Sequence, residues 1–135
     1  MHLTGQWSFI AEGRATVSRV KVEVIGLSKA ISDIEAYMFR KKHALLGVVA
    51  EASKNVTSTA KQIVPVDTGN LRTNISYTVI ERKDKIEGEI IADTDYASYV
   101  ELGTSKMRAQ PYMLPSAMSE KPKFVNACRR VMSTP

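Results

Sequence analysis

Between Ser28 and Val64, apolar residues recur at steps of three, four and seven: Ile31, Ile34, Met38, Leu45, Val49, Ala52, Val56, Ala60 and Ile63. On a 3.6-residue period these positions form a single stripe, which predicts one long amphipathic helix. A helix with a continuous apolar stripe is stable only when something covers it, so the rest of the chain must supply that cover. Ser28 or Ser32 can cap the start, and Ser32 with Glu35 has capping-box spacing. Gly47 weakens the middle by about 1 kcal/mol relative to alanine. Pro65 disfavours helix at Val64 and stops the run.

The cover reads as a sheet. Val20, Val22 and Val24 alternate with Lys21 and Glu23, as in a half-buried strand that Gly26 ends. Before it, Trp7 and Phe9 alternate with polar neighbours in a short strand or arm, interrupted by Gly13 and Arg14. After the helix, Asp67-Thr68-Gly69-Asn70 is a turn, with Gly69 supplying a positive φ. Leu71, Thr73, Ile75, Tyr77 and Val79 then share one face of a strand, and Ile86, Gly88, Ile90 and Ala92 one face of a returning strand. Glu81-Arg82-Lys83-Asp84-Lys85 is the hairpin loop between them. Asp93-Thr94-Asp95 offers caps for a short helix, Tyr96 to Leu102, with Tyr96, Tyr99 and Val100 on one side and Gly103 closing it. Thr104 to Gln110 is a loop, and Pro111-Tyr112-Met113-Leu114-Pro115 is expected to be extended. A last helix is expected from near Ser119, with Pro122 in its first turn and Phe124, Val125, Cys128, Val131 and Met132 on its apolar side.

The expected fold class is α+β: a small, mostly antiparallel sheet of three to four strands packed on one long helix in the N-terminal half, with a short helix and a C-terminal helix. With 135 residues, 44% hydrophobic and 24% charged, the chain suits one domain with one core. Residues 1–18 read as an N-terminal arm or extension and residues 19–135 as that domain.

Composition also limits the chemistry. A single cysteine, Cys128, excludes an internal disulfide, and its place in an apolar run makes it a small buried hydrophobe. His2 and His43 are the only histidines, too few ligands for a structural zinc site, so neither metal nor cofactor is expected. No apolar run reaches the roughly 20 residues of a membrane span. Met1 to Gln6 lacks the basic start and apolar block of a secretory signal, which predicts a chain made in a cytoplasm. The net charge of +5 permits non-specific contact with DNA phosphates through Arg82-Lys83-Asp84-Lys85 or Arg129-Arg130. No aromatic residues interleave with these cations as a base-stacking platform would need.

One tripeptide carries an enzymatic suggestion. Asp67-Thr68-Gly69 matches the turn with which aspartic proteases bring twin carboxylates together to share a proton. That turn follows an apolar strand, whereas this one follows a helix and Pro65, and Asn70-Leu71-Arg72 leads straight into the next element. No phosphate-cradling glycine loop and no nucleophile elbow is present. The expectation is a chain without catalytic residues.

Three stretches, taken together and in order, carry a resemblance. They are Val64-Pro65-Val66-Asp67-Thr68-Gly69-Asn70-Leu71-Arg72, Tyr96-Ala97-Ser98-Tyr99-Val100-Glu101-Leu102-Gly103-Thr104, and Met107 to Ala117 with Pro111-Tyr112-Met113-Leu114-Pro115 at its centre. The chain resembles the tail-completion, or head–tail joining, proteins of long-tailed bacteriophages and prophages over roughly Lys41 to Met118. Many relatives place a proline in the tyrosine segment where this chain has Ala97 and Ser98. The resemblance implies a non-enzymatic virion subunit, assembled in the bacterial host cytoplasm as a homo-oligomeric ring. Such a subunit completes or terminates the tail tube and meets the head connector and neck proteins. A head-closure or connector protein touching the exiting DNA is the first alternative, and a small aspartic-type hydrolase built on the Asp67 tripeptide the second. The motif positions Pro65, Asp67, Thr68, Gly69, Leu71, Arg72, Tyr96, Tyr99, Glu101, Gly103, Thr104 and Pro111 are then expected to be structural, with Arg72 beside Glu101. Met107, Arg108, Tyr112, Met113, Trp7 and Phe9 are candidate contacts between subunits.

Overall fold

The computed structural model describes residues 4–11, 17–25, 35–66, 69–82 and 85–133, with side chains at Val20, 40–66, 69–82 and 85–133. In chain order the elements are β1 (Thr4–Ala11), β2 (Val17–Ile25), α1 (Glu35–Ile63), α2 (Asn70–Thr73), β3 (Ile75–Glu81), β4 (Lys85–Asp93), α3 (Ala97–Leu102) and α4 (Met113–Ser133). The class is α+β, with a long helix, an antiparallel hairpin, a short helix and a C-terminal helix as expected. The strands lie in the order β1-β2-β4-β3, every pair antiparallel. The caps proposed at Ser28 and Ser32 fall outside the described residues, as do Asp67 and Thr68. Trp7 and Phe9 lie on β1, but their side chains are outside the described set.

The core sits between α1, β4 and α4. Leu45, Val49, Ala52, Val56 and Ala60 of the helical stripe are buried, and Val20, Ile75, Ile86, Ile90 and Ala92 meet them from the sheet. Ile63 shares the helical period yet is 44% exposed, at the last turn before Pro65, where no described element packs over it. Val64 is buried instead, its N–H bonded to Ala60 O at 2.9 Å. Helix and sheet approach each other closely at Gly88 on β4. A Cβ there would lie 2.0 Å from Ser53 Oγ and 3.1 Å from Val49 Cγ1, so a side chain would push α1 off the sheet. Ser53 Oγ itself donates to Val49 O at 2.8 Å, which lets a hydroxyl sit dry in that contact.

Helix α4 runs antiparallel to α1: Lys41 donates to Val131 O at one end, and Asn55 Nδ2 donates to Glu120 Oε1 at 2.9 Å further along. Phe124 and Cys128 face the core, while Lys123, Arg129 and Arg130 are exposed, as their spacing predicts. Burial pushes the Cys128 thiol up to about 11, the behaviour of a packed hydrophobe rather than a reactive thiol.

Three local expectations are corrected. Leu71 does not begin a strand: Asn70–Thr73 form the single turn α2, and β3 starts at Ile75. Leu71 and Ile75, both buried, are four apart, a spacing that fits a helix as well as an alternating strand. Gly69 O accepts both Thr73 N at 3.1 Å and Thr73 Oγ1 at 2.9 Å, which closes the turn. Second, Asp93-Thr94-Asp95 does not cap α3: its N-cap is Tyr96, with no side-chain cap bond. Third, the segment from Met113 to Pro115 is helical, not extended. Helix α4 starts at Met113, six residues before Ser119, and Pro122 lies inside it. Pro115 falls in the first turn, where a missing N–H costs nothing.

Candidate functional site

Pro65 turns the chain out of α1, and the three motif stretches meet at this end of the molecule. Gly69 holds φ +80 and ψ −4, a left-handed conformation that favours glycine, and so redirects the chain into α2. Asn74 Nδ2 donates to Asn70 O at 2.7 Å and fastens α2 at its far end. Arg72 Nε donates to Lys61 O at 2.9 Å, tying the first motif back to the last turn of α1 and satisfying a helix-terminal carbonyl. Asn70 Nδ2 reaches Tyr96 Oη at 3.3 Å, joining the first motif to the second.

The second and third motifs are joined through Glu101. This carboxylate is only 3% exposed, yet it is fully used. Its Oε1 accepts Tyr112 N at 3.0 Å and Met113 N at 2.8 Å, and its Oε2 accepts Leu114 N at 3.2 Å. Three N–H groups at the start of α4 have no partner within the helix, and the carboxylate caps them from α3, favoured by the positive end of the helix dipole. Tyr112 Oη donates to Ala97 O at 3.0 Å and closes the same joint. The expected Arg72–Glu101 pair is therefore absent; each side chain binds a backbone elsewhere. Tyr112 and Met113, proposed as contacts between subunits, have no exposed surface and belong to the core. The sequence gives no direct sign of this cap, because Glu101 and Met113 are twelve residues apart.

Between these joints, 104–110 forms a compact exposed loop. Gly103 at φ +76 starts it, and a Cβ there would lie 2.7 Å from Ala109 N. Thr104 N donates to Met107 O at 2.8 Å, Gln110 N donates to Val100 O at 2.8 Å, and Lys106 N donates to Thr104 Oγ1 at 3.2 Å. Met107 and Arg108 are exposed on it. A cavity of about 250 Å³ opens here, lined by Pro65, Gly69 and Leu71 from the first motif, Tyr96 and Val100 from the second, and Met107 and Gln110 from the loop. Among the described residues, eight of the nine large exposed apolar side chains lie at this end: Ile63, Val66, Tyr96, Tyr99, Leu102, Met107, Leu114 and Met118. A surface of this kind suits contact with another macromolecule.

Among the described residues that line this cavity there is no carboxylate, histidine, cysteine, lysine or arginine, and among the described residues no three His, Cys, Asp or Glu side chains gather as a metal site would require. Asp67 lies outside the described residues; the described elements on either side of it in the chain are helices α1 and α2, not a strand. His43 is exposed in the middle of α1. In the hairpin, Arg82 Nε and Lys85 Nζ both approach Glu87 Oε2, at 3.6 and 3.3 Å, so part of the basic run is offset within the fold. No helix among the described residues is long and apolar enough to cross a membrane.

An α+β fold with exposed apolar side chains, and with no metal-binding cluster among its described residues, is the class of protein these features define. The chain belongs to the HK97-gp10-like family, described as "Bacteriophage HK97-gp10, putative tail-component", whose model matches residues 28–103. The match covers more than half of the chain and includes the first motif and the second as far as Gly103. It is thus a phage structural tail protein in that broad sense, and the family points to a non-enzymatic role in the virion. No curated protein and no solved structure matches it.

Proposed function

We propose that the protein works at the head–tail junction, as one subunit of a homo-oligomeric ring that completes or terminates the tail tube and joins it to the head connector. The observation that carries this is the gathering of motif segments and exposed apolar side chains at one end of the fold. The motifs build a rigid frame, through Gly69, Arg72 and Glu101, and that frame holds Tyr96, Tyr99, Leu102 and Met107 outward. Rigid presentation of apolar side chains lowers the entropy lost on docking. Arg108 and Lys106, on the same loop, set charge at the rim of the contact. The role requires no catalytic residue and no cofactor.

Electron microscopy of lysates from a phage lacking this gene tests the reading. Full heads beside unjoined tails, or tails of uncontrolled length, are expected; normal virions would sink it. Contact with exiting DNA, the second reading, draws on the +5 charge and on exposed Arg129 and Arg130. It predicts DNA binding that weakens steeply with salt.

A further inference from the structure

The two outer strands of the sheet carry a further consequence. Asn74 O accepts Asp93 N at 3.0 Å, and Arg82 N donates to Lys85 O at 2.8 Å. Both pairs obey the register that runs from Ile75↔Ala92 to Glu81↔Ile86. In an antiparallel ladder, alternate residues turn both backbone groups toward the partner. The even-numbered residues of β3 therefore bond to β4, and Ile75, Tyr77, Val79 and Glu81 turn N–H and C=O to the outer edge. Among the described residues no strand lies beyond β3, and Ser76, Tyr77 and Thr78 are all exposed.

Natural sheets blunt such edges with lysine, proline or a bulge. This chain contains 19 lysines and arginines and 5 prolines, yet neither β3 (Ile75 to Glu81) nor the opposite outer strand β1 (Thr4 to Ala11) contains any of them. The strands alternate in direction across β1-β2-β4-β3, so β1 and β3 run opposite ways. When copies are related by rotation about an axis along the strands, the next copy's β1 meets β3 antiparallel. Resting on the ring reading above, we propose that subunits join by sheet extension, with the outer edge of β3 in one copy pairing antiparallel with β1 of a second copy. This contact is head-to-tail, so it repeats around a ring, whereas β3 on β3 would stop at two copies.

The test uses the purified full chain over a concentration series, with light scattering and electron microscopy. Tyr77→Pro removes one outward N–H and no β3–β4 bond, a change an edge strand tolerates. The wild type is expected to assemble beyond a dimer. Tyr77→Pro is expected to keep its circular dichroism and to need roughly tenfold more protein to assemble. Oxidative cross-linking supplies a second arm that does not depend on proline. The double variant Ser8→Cys/Thr78→Cys is expected to give a ladder of covalent multimers, and Thr78→Cys alone only monomer. A covalent dimer from Thr78→Cys alone, or rings of Tyr77→Pro at wild-type concentration, overturns the edge pairing and leaves the ring reading standing. A wild type that stays monomeric throughout, with no ladder, takes both down.

Discussion

The contact of α1 with β4 and the end where the motifs meet use opposite rules for inside and outside. Along α1 and β4, Leu45, Val49, Val56, Ile86 and Ile90 are buried, and the fit depends on shape, down to the missing side chain of Gly88. At the motif end a carboxylate, Glu101, is buried while Tyr99, Leu102 and Met107 stand outside. The first region gains stability from apolar area removed from water. The second directs its polar groups to hold a frame and leaves its apolar groups exposed. Burial alone would misjudge which residues are structural, since Glu101 is framework and Met107 is surface.

The largest effect that could break this contrast is expected at Glu101. Glu101→Ala leaves three N–H groups at the start of α4 without their acceptor and should cost about 3 kcal/mol in urea unfolding. Glu101→Gln should recover part of that loss; a cost below about 1 kcal/mol for alanine would show that the cap is not what holds the joint. Next comes Gly88→Val, expected to cost about 2 kcal/mol by overpacking against Ser53 and Val49. Combining it with Ser53→Ala should relieve some of the strain, and strict additivity would place the obstacle elsewhere. Gly69→Ala follows, at about 1 kcal/mol for a side chain at φ +80; calorimetry reads it as a lower Tm. Smallest for the isolated subunit are Tyr99→Ser and Met107→Ser, which should change stability by less than about 0.5 kcal/mol while abolishing incorporation into tails. Variants of these two that unfold the chain would move them into the framework and erase the distinction. Cys128 offers a pH check on the core side. Its thiol rises from 9.0 to about 11 on folding, so the contribution is intact below pH 9 and is lost as pH climbs toward 11. Alkylation should stay slow in the folded chain at pH 8.

How much of this was legible follows from the range of each interaction. The stripe in α1, the alternation in β4 and the apolar side of α4 are local periodicities, and the chain displays them directly. Gly69 and Gly103 are also legible, since a turn between elements calls for a positive φ. The start of α4 was not, because Pro111 and Pro115 suggest extended chain unless a distant carboxylate caps Met113. Leu71 was ambiguous because a spacing of four satisfies two periods. The aromatic and methionine content of the third motif suggested a surface, yet Tyr112 is core; only its hydroxyl's bond to Ala97 O shows how a tyrosine fits there.

By itself the sequence determined the central helix, the β3–β4 hairpin, the apolar side of α4 and the motifs that carry the family resemblance, because periodicity and turn chemistry act over a few residues. Tertiary structure decided which face of each motif is buried, that Glu101 caps α4 rather than pairing with Arg72, and that β1 and β3 are the outer strands. Those outcomes depend on which distant backbone groups come within bonding distance, and spacing along the chain does not encode that distance.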